Sequence, residues 1–489
     1  MAKRVSIIEI GSNSVRIVIY EKTSRYAFHI LHEEKSKVRI SQDTYKFDGN
    51  LQKEPMKRAF NALANFLTIS KSFKTKKVLC IATSALRDAP NKKEFIQQVK
   101  EQLKLKIKII SGEKEAYLGG ISCANLLQEQ KDALTIDIGG GSTEFSHINK
   151  KDINDTFSLK MGTVRIKELF FDTKNRKGAI EYIDAKLAYL KSNKSTTLIG
   201  IGGTFRAIAT AIKNQENYPF NKIHAYEPSV KSFESFITKI LQATSQQELL
   251  LLGIKENRLD IIQPGALILQ RVLQKLHITK IITSGVGVRE GVFLADLLRN
   301  AKHKFPHNYN TSVKYLLDSH IQNTSFSTQL NSLVKKLFDL THEHLNIPKE
   351  FRYELALAAK LYPIGSNLHF FSQNKHTYYL IQSSLEYGFT HKRIILIATL
   401  TKYAKSKLPQ ESHLLKYKKL LPQKNITLSL SYLLSLSIAL LSHRPRNIDF
   451  KYSFEEGVLK IDSSNKLYLA RESVAKIERP KKGFQVNFV

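Results

Sequence analysis

Two stretches of the sequence share one layout: a strand that carries an acid near its end, a short turn rich in glycine and hydroxyl residues, and a second strand. The first copy spans residues 5–20, with Glu9 before its turn, and the second spans residues 134–148, with Asp137 before its turn. Glycine lets the backbone turn with positive φ and approach a ligand closely. Successive N–H groups in such a turn form a concavity that fits a phosphate. The two stretches therefore look like two copies of one anion-binding device.

The acids beside these turns are not expected to bind phosphate directly, because like charges repel. In the second copy Asp137 precedes the turn and Glu144 follows it. Carboxylates in this position hold a divalent cation through water, or they orient a water molecule. A hairpin turn whose acids face solvent is the alternative that this segment alone leaves open. Neither copy is a P-loop, because neither leads into a helix or has the Gly-Lys-Ser/Thr ending.

Two further glycine turns follow strands and precede helices. These turns are residues 200–204, before a predicted helix over 205–213, and residues 284–291, before a predicted helix over 292–299. The strand–glycine–helix order aims helix N–H groups at an anion, although close packing of helix on strand also explains the glycines of the first turn. Strands that alternate with helices and end in such loops predict an α/β core.

Glu115 lies near the predicted start of a helix that runs to Leu127, shortly after the turn at Gly112. A carboxylate at this position stabilises a helix N-terminus through the helix dipole. The position alone therefore fits a structural role as well as a functional one.

The net charge is the unusual feature of the composition, with 76 Lys+Arg against 43 Asp+Glu, or +33. Such a field attracts polyanions with strong salt dependence. Nucleic acid, inorganic polyphosphate, anionic nucleotides and membrane surfaces are all partners that this charge would attract. A lysine-rich composition without any function also explains the charge. Cys80 and Cys123 have no metal-ligand spacing and do not suggest a disulfide framework. This cysteine usage fits a reducing cytoplasm.

The rest of the chain reads as a linker, a helical region and a strand-rich end. A length of 489 residues predicts about two to four domains. The linker is placed around residues 301–311, the helical region over 312–443, and short strands after residue 449. The apolar segment Leu428 to Leu441 is too short to span a bilayer and is predicted to be a buried helix. No signal peptide is recognised, and we expect a cytoplasmic protein without a membrane partner.

Six motifs follow one another in a fixed order: residues 10–14, 82–87, 110–116, 137–144, 202–204 and 284–286. Together they resemble the exopolyphosphatase/guanosine pentaphosphate phosphohydrolase (Ppx/GppA) family. The resemblance implies an α/β, actin-like (ribonuclease-H-like) fold with lobes over residues 1–125 and 126–300. It also implies a helical HD-like domain over 312–443 and a small α+β tail over 444–489. The implied activity is release of the terminal phosphate from inorganic polyphosphate, from guanosine pentaphosphate, or from both.

The resemblance also implies roles for individual residues. Glu115 matches the family's catalytic glutamate and would be the general base for the attacking water. Asp137, Glu144 and Glu9 would hold or orient Mg²⁺ and the water. Phosphate would be bound by backbone amides and one arginine fork. These positions are Gly11, Ser12, Asn13, Ser14, Arg87, Gly139, Gly140, Gly141, Ser142, Thr143, Gly202, Gly203 and Thr204.

The sequence departs from the family pattern at three places. Glu9 stands where members usually have Asp, and Lys114 stands where many have another Glu. In the helical region, residues 361–365 replace the metal-binding His-Asp pair of an HD domain. A dinuclear metal centre is therefore not expected there, and the domain is interpreted as degenerate. His376 is interpreted as a packed or surface histidine, because a metal ligand needs partners.

Two other functions stay open from the sequence. A non-catalytic sensor that binds alarmone nucleotides or polyphosphate fits Glu9, Lys114 and the missing HD ligands. A kinase of the same superfamily lacks any recognisable acceptor motif here. Nucleic acid is not expected as a partner, because no zinc-finger or RNA-recognition signature is present. The resemblance further suggests a homodimer formed through the C-terminal domains.

Overall fold

The computed structural model of the chain describes residues 3–192 and 195–489. The chain divides into two compact units, Met1–Tyr309 and Asn310–Val489. Within the described residues, none of the helices combines the length and hydropathy that a bilayer-spanning segment needs.

The first unit contains two sheets with the same topology. The first sheet has the strand order β3-β2-β1-β4-β5, and the second has the order β8-β7-β6-β9-β10. In each sheet the first three strands of the chain form an antiparallel meander, and the other two run parallel to the first strand. The strands of the first sheet are β1 (Arg4–Ile10), β2 (Val15–Lys22), β3 (Phe28–Ser36), β4 (Lys77–Ala82) and β5 (Ile107–Ile109). The strands of the second sheet are β6 (Gln130–Ile138), β7 (Thr143–Lys150), β8 (Asp152–Leu159), β9 (Thr197–Ile201) and β10 (Lys280–Thr283).

Helices cover both sheets, as the alternating pattern predicts. They are α1 (Lys53–Ser72), α2 (Ser84–Asp88), α3 (Lys92–Leu103), α4 (Gly112–Leu126), α5 (Thr163–Ile166), α6 (Arg176–Lys186), α7 (Gly202–Gln215), α8 (Val230–Gln242), α9 (Gln246–Leu251), α10 (Ile262–Lys275) and α11 (Val288–Leu297). We call the first sheet with α1–α3 lobe I, and the second sheet with the helices packed on it lobe II. Each sheet has its own buried apolar core.

Three predicted helix boundaries are wrong. Helix α7 begins at Gly202, so the predicted turn 202–204 forms the first helical turn, and α11 begins at Val288 inside the predicted turn 284–291. Small residues with free N–H groups belong in a first helical turn as well as in a loop, which is why the pattern could not separate the two. The apolar stripe of residues 179–190 predicts one helix, but helix α6 ends at Lys186 and a 3₁₀ segment, Leu187–Ser192, follows it.

The second unit is helical and ends in a small sheet. Its elements are α12 (Thr311–His320), α13 (Ser325–Thr341), α14 (Arg352–Leu361), α15 (Gln373–Ser384), α16 (His391–Lys402), α17 (Glu411–Lys416), α18 (Lys424–Leu440), β11 (Lys451–Glu455), β12 (Val458–Asp462), α19 (Tyr468–Ala475) and β13 (Gln485–Phe488). The helical region and the buried helix near residues 428–441 are confirmed. At the position of the HD ligands, the carbonyl oxygen of Tyr362 accepts hydrogen bonds from Gln373 and Thr377 at 3.0 and 2.7 Å.

Helices α4 and α11 cross so closely that only glycine fits at one point. A Cβ at Gly291 would lie 2.0 Å from the carbonyl oxygen of Leu118. Replacement of Gly291 by alanine must force the helices apart, and we expect a loss of roughly 1–3 kcal/mol in the free energy of unfolding. Chemical denaturation measures this loss.

Gly119 on α4 provides the matched control for Gly291→Ala. A Cβ there would lie 3.4 Å from the nearest side-chain atom, on Ile201, which is ordinary van der Waals contact. The Gly119→Ala variant should therefore be as stable as the wild type or slightly more stable, because alanine favours a helix. Equal destabilisation by the two changes would contradict the close crossing.

Candidate functional site

A cavity of about 130 Å³ lies between the two glycine loops of the first unit. Loop 11–14 of lobe I and loop 139–142 of lobe II link β1 to β2 and β6 to β7. In both loops the N–H of the first glycine donates to the carbonyl oxygen of the fourth residue. The N···O distances are 3.1 Å for Gly11 to Ser14 and 2.9 Å for Gly139 to Ser142. The duplicated layout in the sequence therefore corresponds to a duplicated loop geometry.

The two hairpins differ in the charges that flank their loops. In lobe I, Glu9 lies opposite Arg16 across the strand pair, whereas in lobe II Asp137 lies opposite Glu144. Residues opposite each other on antiparallel strands share one face of the sheet. The first hairpin therefore places a carboxylate beside an arginine, and the second places two carboxyl groups together.

The loops of the two lobes touch at Ser12 and Gly140. A Cβ at Gly140 would lie 2.6 Å from the Cβ of Ser12, and a Cβ at Gly141 would lie 2.8 Å from Ser84 Oγ. The hydroxyls of Ser12 and Ser84 are 3.2 Å apart. Side chains at these two glycines would hold the lobes apart, so glycine is required here by the close approach of the backbone.

Five cationic side chains line the cavity: Arg16, Lys35, Arg206, Arg258 and Arg289. Burial and the neighbouring cations lower the pKa of Arg16 to about 10 and that of Lys35 to about 8. Among the described residues, the Arg258 guanidinium and the Lys35 ammonium have no hydrogen-bond or ion-pair partner. Both side chains are partly buried. Removing a cation from water without a partner is costly, and an anion in the cavity would reduce this cost.

Glu9, one of the expected metal ligands, is engaged by an arginine. Its Oε2 lies 3.1 Å from Nη1 of Arg289, and Nη2 of the same guanidinium lies 3.2 Å from Glu33. The neighbouring Glu290 accepts from the Tyr20 hydroxyl at 2.7 Å and from the N–H of Gly287 at 2.7 Å. The acids on this side of the cavity thus have protein partners.

Glu115 lies outside the cavity lining, behind the second glycine loop. It is buried, and its Oε2 is 2.9 Å from Nη1 of Arg87. The other guanidinium nitrogen, Nη2, is 3.2 Å from Ser142 Oγ and 4.0 Å from Glu144. Burial and the neighbouring Glu144 raise the pKa of Glu115 well above its ordinary value. Arg87 therefore joins the predicted base to the loop that reaches the cavity.

Asp137 and Glu144 are neighbouring carboxyl groups, of which Glu144 is buried and Asp137 is partly buried at the cavity wall. Burial raises both pKa values, that of Asp137 to about 6, and repulsion between acids adds to the effect. Glu144 also accepts a hydrogen bond from Ser158 at 2.7 Å. Across the described ranges, no three His, Cys, Asp or Glu side chains converge as a metal cage. One or two carboxylates completed by water and substrate phosphate fit Mg²⁺, which usually keeps several waters.

Only part of the predicted site lines the cavity. It is lined by Glu9, Gly11, Ser12, Asn13, Ser14, Asp137, Gly139, Gly140, Gly202, Gly203 and Thr204. The remaining predicted residues lie outside the cavity lining, in the second half of loop 139–142 or behind it. They are Arg87, Glu115, Gly141, Ser142, Thr143 and Glu144. The sequence placed these two groups in one site, whereas the structure divides them between the cavity and the Arg87–Glu115 cluster.

Sequence reasoning missed the cations of the cavity. Arg16 and Arg206 each come two residues after a predicted phosphate loop, and this spacing was a usable signal. Arg289 lies inside the predicted glycine turn 284–291, and no role was assigned to this residue from the sequence. Lys35 and Arg258 stand outside every motif, and only the folded chain brings them to the loops.

Comparison with known proteins decides the family. The Ppx/GppA phosphatase family matches residues 18–300, and its domain III matches residues 309–477. The chain belongs to the Ppx/GppA phosphatase family. The two-lobed actin-like fold and the helical C-terminal domain expected from the resemblance are confirmed.

Similar Ppx/GppA-related proteins include curated relatives and a solved structure. The chain is 32% identical over 284 residues to the bifunctional 3-dehydroquinate synthase/phosphatase of Fusobacterium nucleatum, covering 54% of this chain and 42% of that protein. It is 26% identical over 417 residues to the guanosine-5'-triphosphate,3'-diphosphate pyrophosphatase of Photobacterium profundum, covering 82% and 80%. An exopolyphosphatase structure from Cytophaga hutchinsonii matches with a TM-score of 0.56 and 27% identity, covering 62% of this chain and all of that one. The chain thus spans less than half of the Fusobacterium relative.

Proposed function

We propose that this Ppx/GppA family member hydrolyses a terminal phosphoanhydride bond, in inorganic polyphosphate, in guanosine pentaphosphate, or in both. The observation that carries the proposal is the cationic cavity between two glycine loops, in which Arg258 and Lys35 have no hydrogen-bond or ion-pair partner among the residues that the structure describes. Several closely spaced negative charges on one ligand match this set of cations better than a single phosphate does.

The chain's own residues have distinct roles in the proposed reaction. The amides of loops 11–14 and 139–142 bind phosphoryl oxygens from opposite sides and stabilise the charge that develops on them. Glu115 accepts the proton of the attacking water, and its raised pKa suits a base that works near neutral pH. Arg87 opposes the rise in the pKa of Glu115 by pairing with its carboxylate, and through Ser142 it connects this carboxylate to the second loop. Catalytic hydrogen bonds are often long without substrate and shorten when substrate binds. Loop 139–142 connects Glu115 to the cavity, so a shift of this loop would bring the base closer to the substrate.

Magnesium is proposed as the cofactor, held by Asp137 and Glu144. A bound Mg²⁺ supplies neutralisation of phosphoryl charge and orientation of substrate. Burial raises the pKa of both acids, with a further contribution from Glu9 at Asp137 and from Asp137 at Glu144, and a divalent cation would offset this cost of holding them ionised. Glu9 is the weaker ligand candidate, because Arg289 already neutralises it.

A side-by-side assay of phosphate release tests the function. Long-chain polyphosphate and guanosine pentaphosphate are offered separately to the full-length chain, with Mg²⁺ varied and with EDTA as the control. We expect release from at least one of the two substrates, and loss of that release on chelation. Tight binding of either compound without any release would favour the non-catalytic sensor instead.

A further inference from the structure

The segment between β3 and α1 links the two glycine loops to each other. We call residues 38–49 the strap; it follows β3 and contains a 3₁₀ turn, Thr44–Lys46. At one end the strap is bonded to the first loop, because Arg39 N donates to Asn13 O at 3.0 Å and Ser41 N donates to Ser12 O at 3.2 Å. The strap belongs to lobe I, and these hydrogen bonds hold its backbone to the first phosphate loop.

The second loop has a corresponding backbone connection within lobe II. The first turn of α5 packs on the second loop, since Thr163 N donates to Gly139 O at 2.9 Å and Val164 N donates to Gly140 O at 2.8 Å. Helix α5 continues directly into a π-helical turn, Lys167–Phe171. Single π-helical turns often mark functional positions, because the extra residue re-aims the side chains.

Glu168 on this π-helical turn joins the two connections. Its Oε1 accepts from the N–H of Asp43 at 3.1 Å, and its Oε2 accepts from the N–H of Tyr45 at 3.3 Å. A single carboxylate therefore holds two backbone donors of the other lobe. The path from loop 11–14 to loop 139–142 consists of backbone hydrogen bonds, with this one side chain at its centre.

We infer that Glu168 is a positioning residue that sets the first glycine loop against the second through the strap. The inference rests on the proposed function in one respect, namely that both loops bind the same phosphate chain. Two loops that grip one ligand lose transition-state stabilisation when their separation changes by about 1 Å. Glu168 does not line the cavity between the glycine loops. It lines a neighbouring cavity together with Ser12 and Asn13 of the first loop, and we infer that it acts through the loops.

Contacts near Glu168 support a lobe-to-lobe fastening at this point. Arg165, three residues earlier, donates from Nη2 to Asp88 of lobe I at 2.9 Å and from Nε to Gly141 O at 2.9 Å. Arg39 of the strap pairs with Asp260 of lobe II at 2.8 Å. These ion pairs are half-exposed and are worth little individually. The charged bonds from Glu168 to the partly buried backbone N–H groups of Asp43 and Tyr45 are the stronger kind.

Replacement of Glu168 by glutamine tests the inference with little change of shape. The amide nitrogen of glutamine would face a backbone N–H donor, so one of the two bonds is lost. We expect faster hydrogen exchange at the amides of Asp43 and Tyr45, measured without any ligand. For the substrate that the wild type turns over, we expect kcat to fall about tenfold and KM to change by less than about threefold. A conserved Tm separates this result from a general loss of structure.

Glu181→Gln on α6 is the control, because that side chain is 67% exposed and has only a 4.0 Å contact with Lys177. It should leave exchange, kcat and Tm unchanged. Unchanged exchange at residues 43 and 45 in Glu168→Gln would overturn the inference, and so would faster exchange with an unchanged kcat. If the wild type released no phosphate at all, the proposed function would fail. The hydrogen-exchange measurement at Asp43 and Tyr45 would still decide whether Glu168 holds the strap.

Discussion

Replacement of Glu115 by glutamine is expected to lower the rate of phosphate release by at least about a hundredfold, the usual scale for a general base. Glutamine preserves the size of the side chain and an oxygen that accepts from Arg87, whose other bonds to Ile110 O and Ser142 remain. The fold should therefore survive. Steady-state phosphate release at saturating substrate measures the loss.

The pH profile gives this prediction a second readout. Burial raises the pKa of Glu115, and only its ionised form accepts a proton. Activity of the wild type should therefore fall as the pH drops through that raised pKa, and the variant should lack this acid limb. Glu113→Gln on the same helical turn is the control, since that side chain is exposed. Near-normal turnover in Glu115→Gln would refute the assignment of the base.

Replacement of Arg258 by methionine is expected to raise KM between about tenfold and a hundredfold. A hydrogen bond to a charged group contributes roughly 1.5–3 kcal/mol, and about 1.4 kcal/mol corresponds to tenfold in affinity. The guanidinium has no protein partner to leave behind within the described residues, and its Nη2 approaches Gly203 so closely that a Cβ there would lie 1.8 Å away. Initial rates over a range of substrate concentrations measure the effect.

Lys255→Met is the matched control for Arg258→Met. Lys255 is exposed, lies three residues upstream and does not line the cavity. It removes the same unit of charge from the same part of lobe II, so it tests whether the long-range field alone explains the result. Equal rises in KM for the two variants would show that the cavity position of Arg258 is irrelevant.

The duplicated hairpins are features that local patterns in the sequence predict. The period of the strands and the chemistry of the turns are local, so β1–β2 and β6–β7 were readable from residues 5–20 and 134–148, and the structure confirms both pairs. The apolar stripe of α1 was equally readable, because Met56, Ala59, Leu63 and Phe66 recur at helical spacing and are all buried.

The remainder of the site depends on contacts between distant residues. Lys35 and Arg258 reach the cavity only because β3 and the turn before α10 are brought to its rim. Arg87, and Ser142 of the second loop, lie between Glu115 and the cavity, and no local pattern encodes that arrangement. The role of Glu168 was also hidden, because its partners are backbone N–H groups that leave no mark on the sequence.

The opposite charge balance of the two hairpins has a thermodynamic consequence. The Arg16 side of the cavity favours anions, whereas the Asp137–Glu144 side favours cations. A multiply charged anion and a divalent cation should therefore bind as a cooperative pair, each raising the affinity for the other by the same factor, as linkage requires. Because the pKa of Asp137 is about 6, cation binding near that pH should also release protons to the buffer.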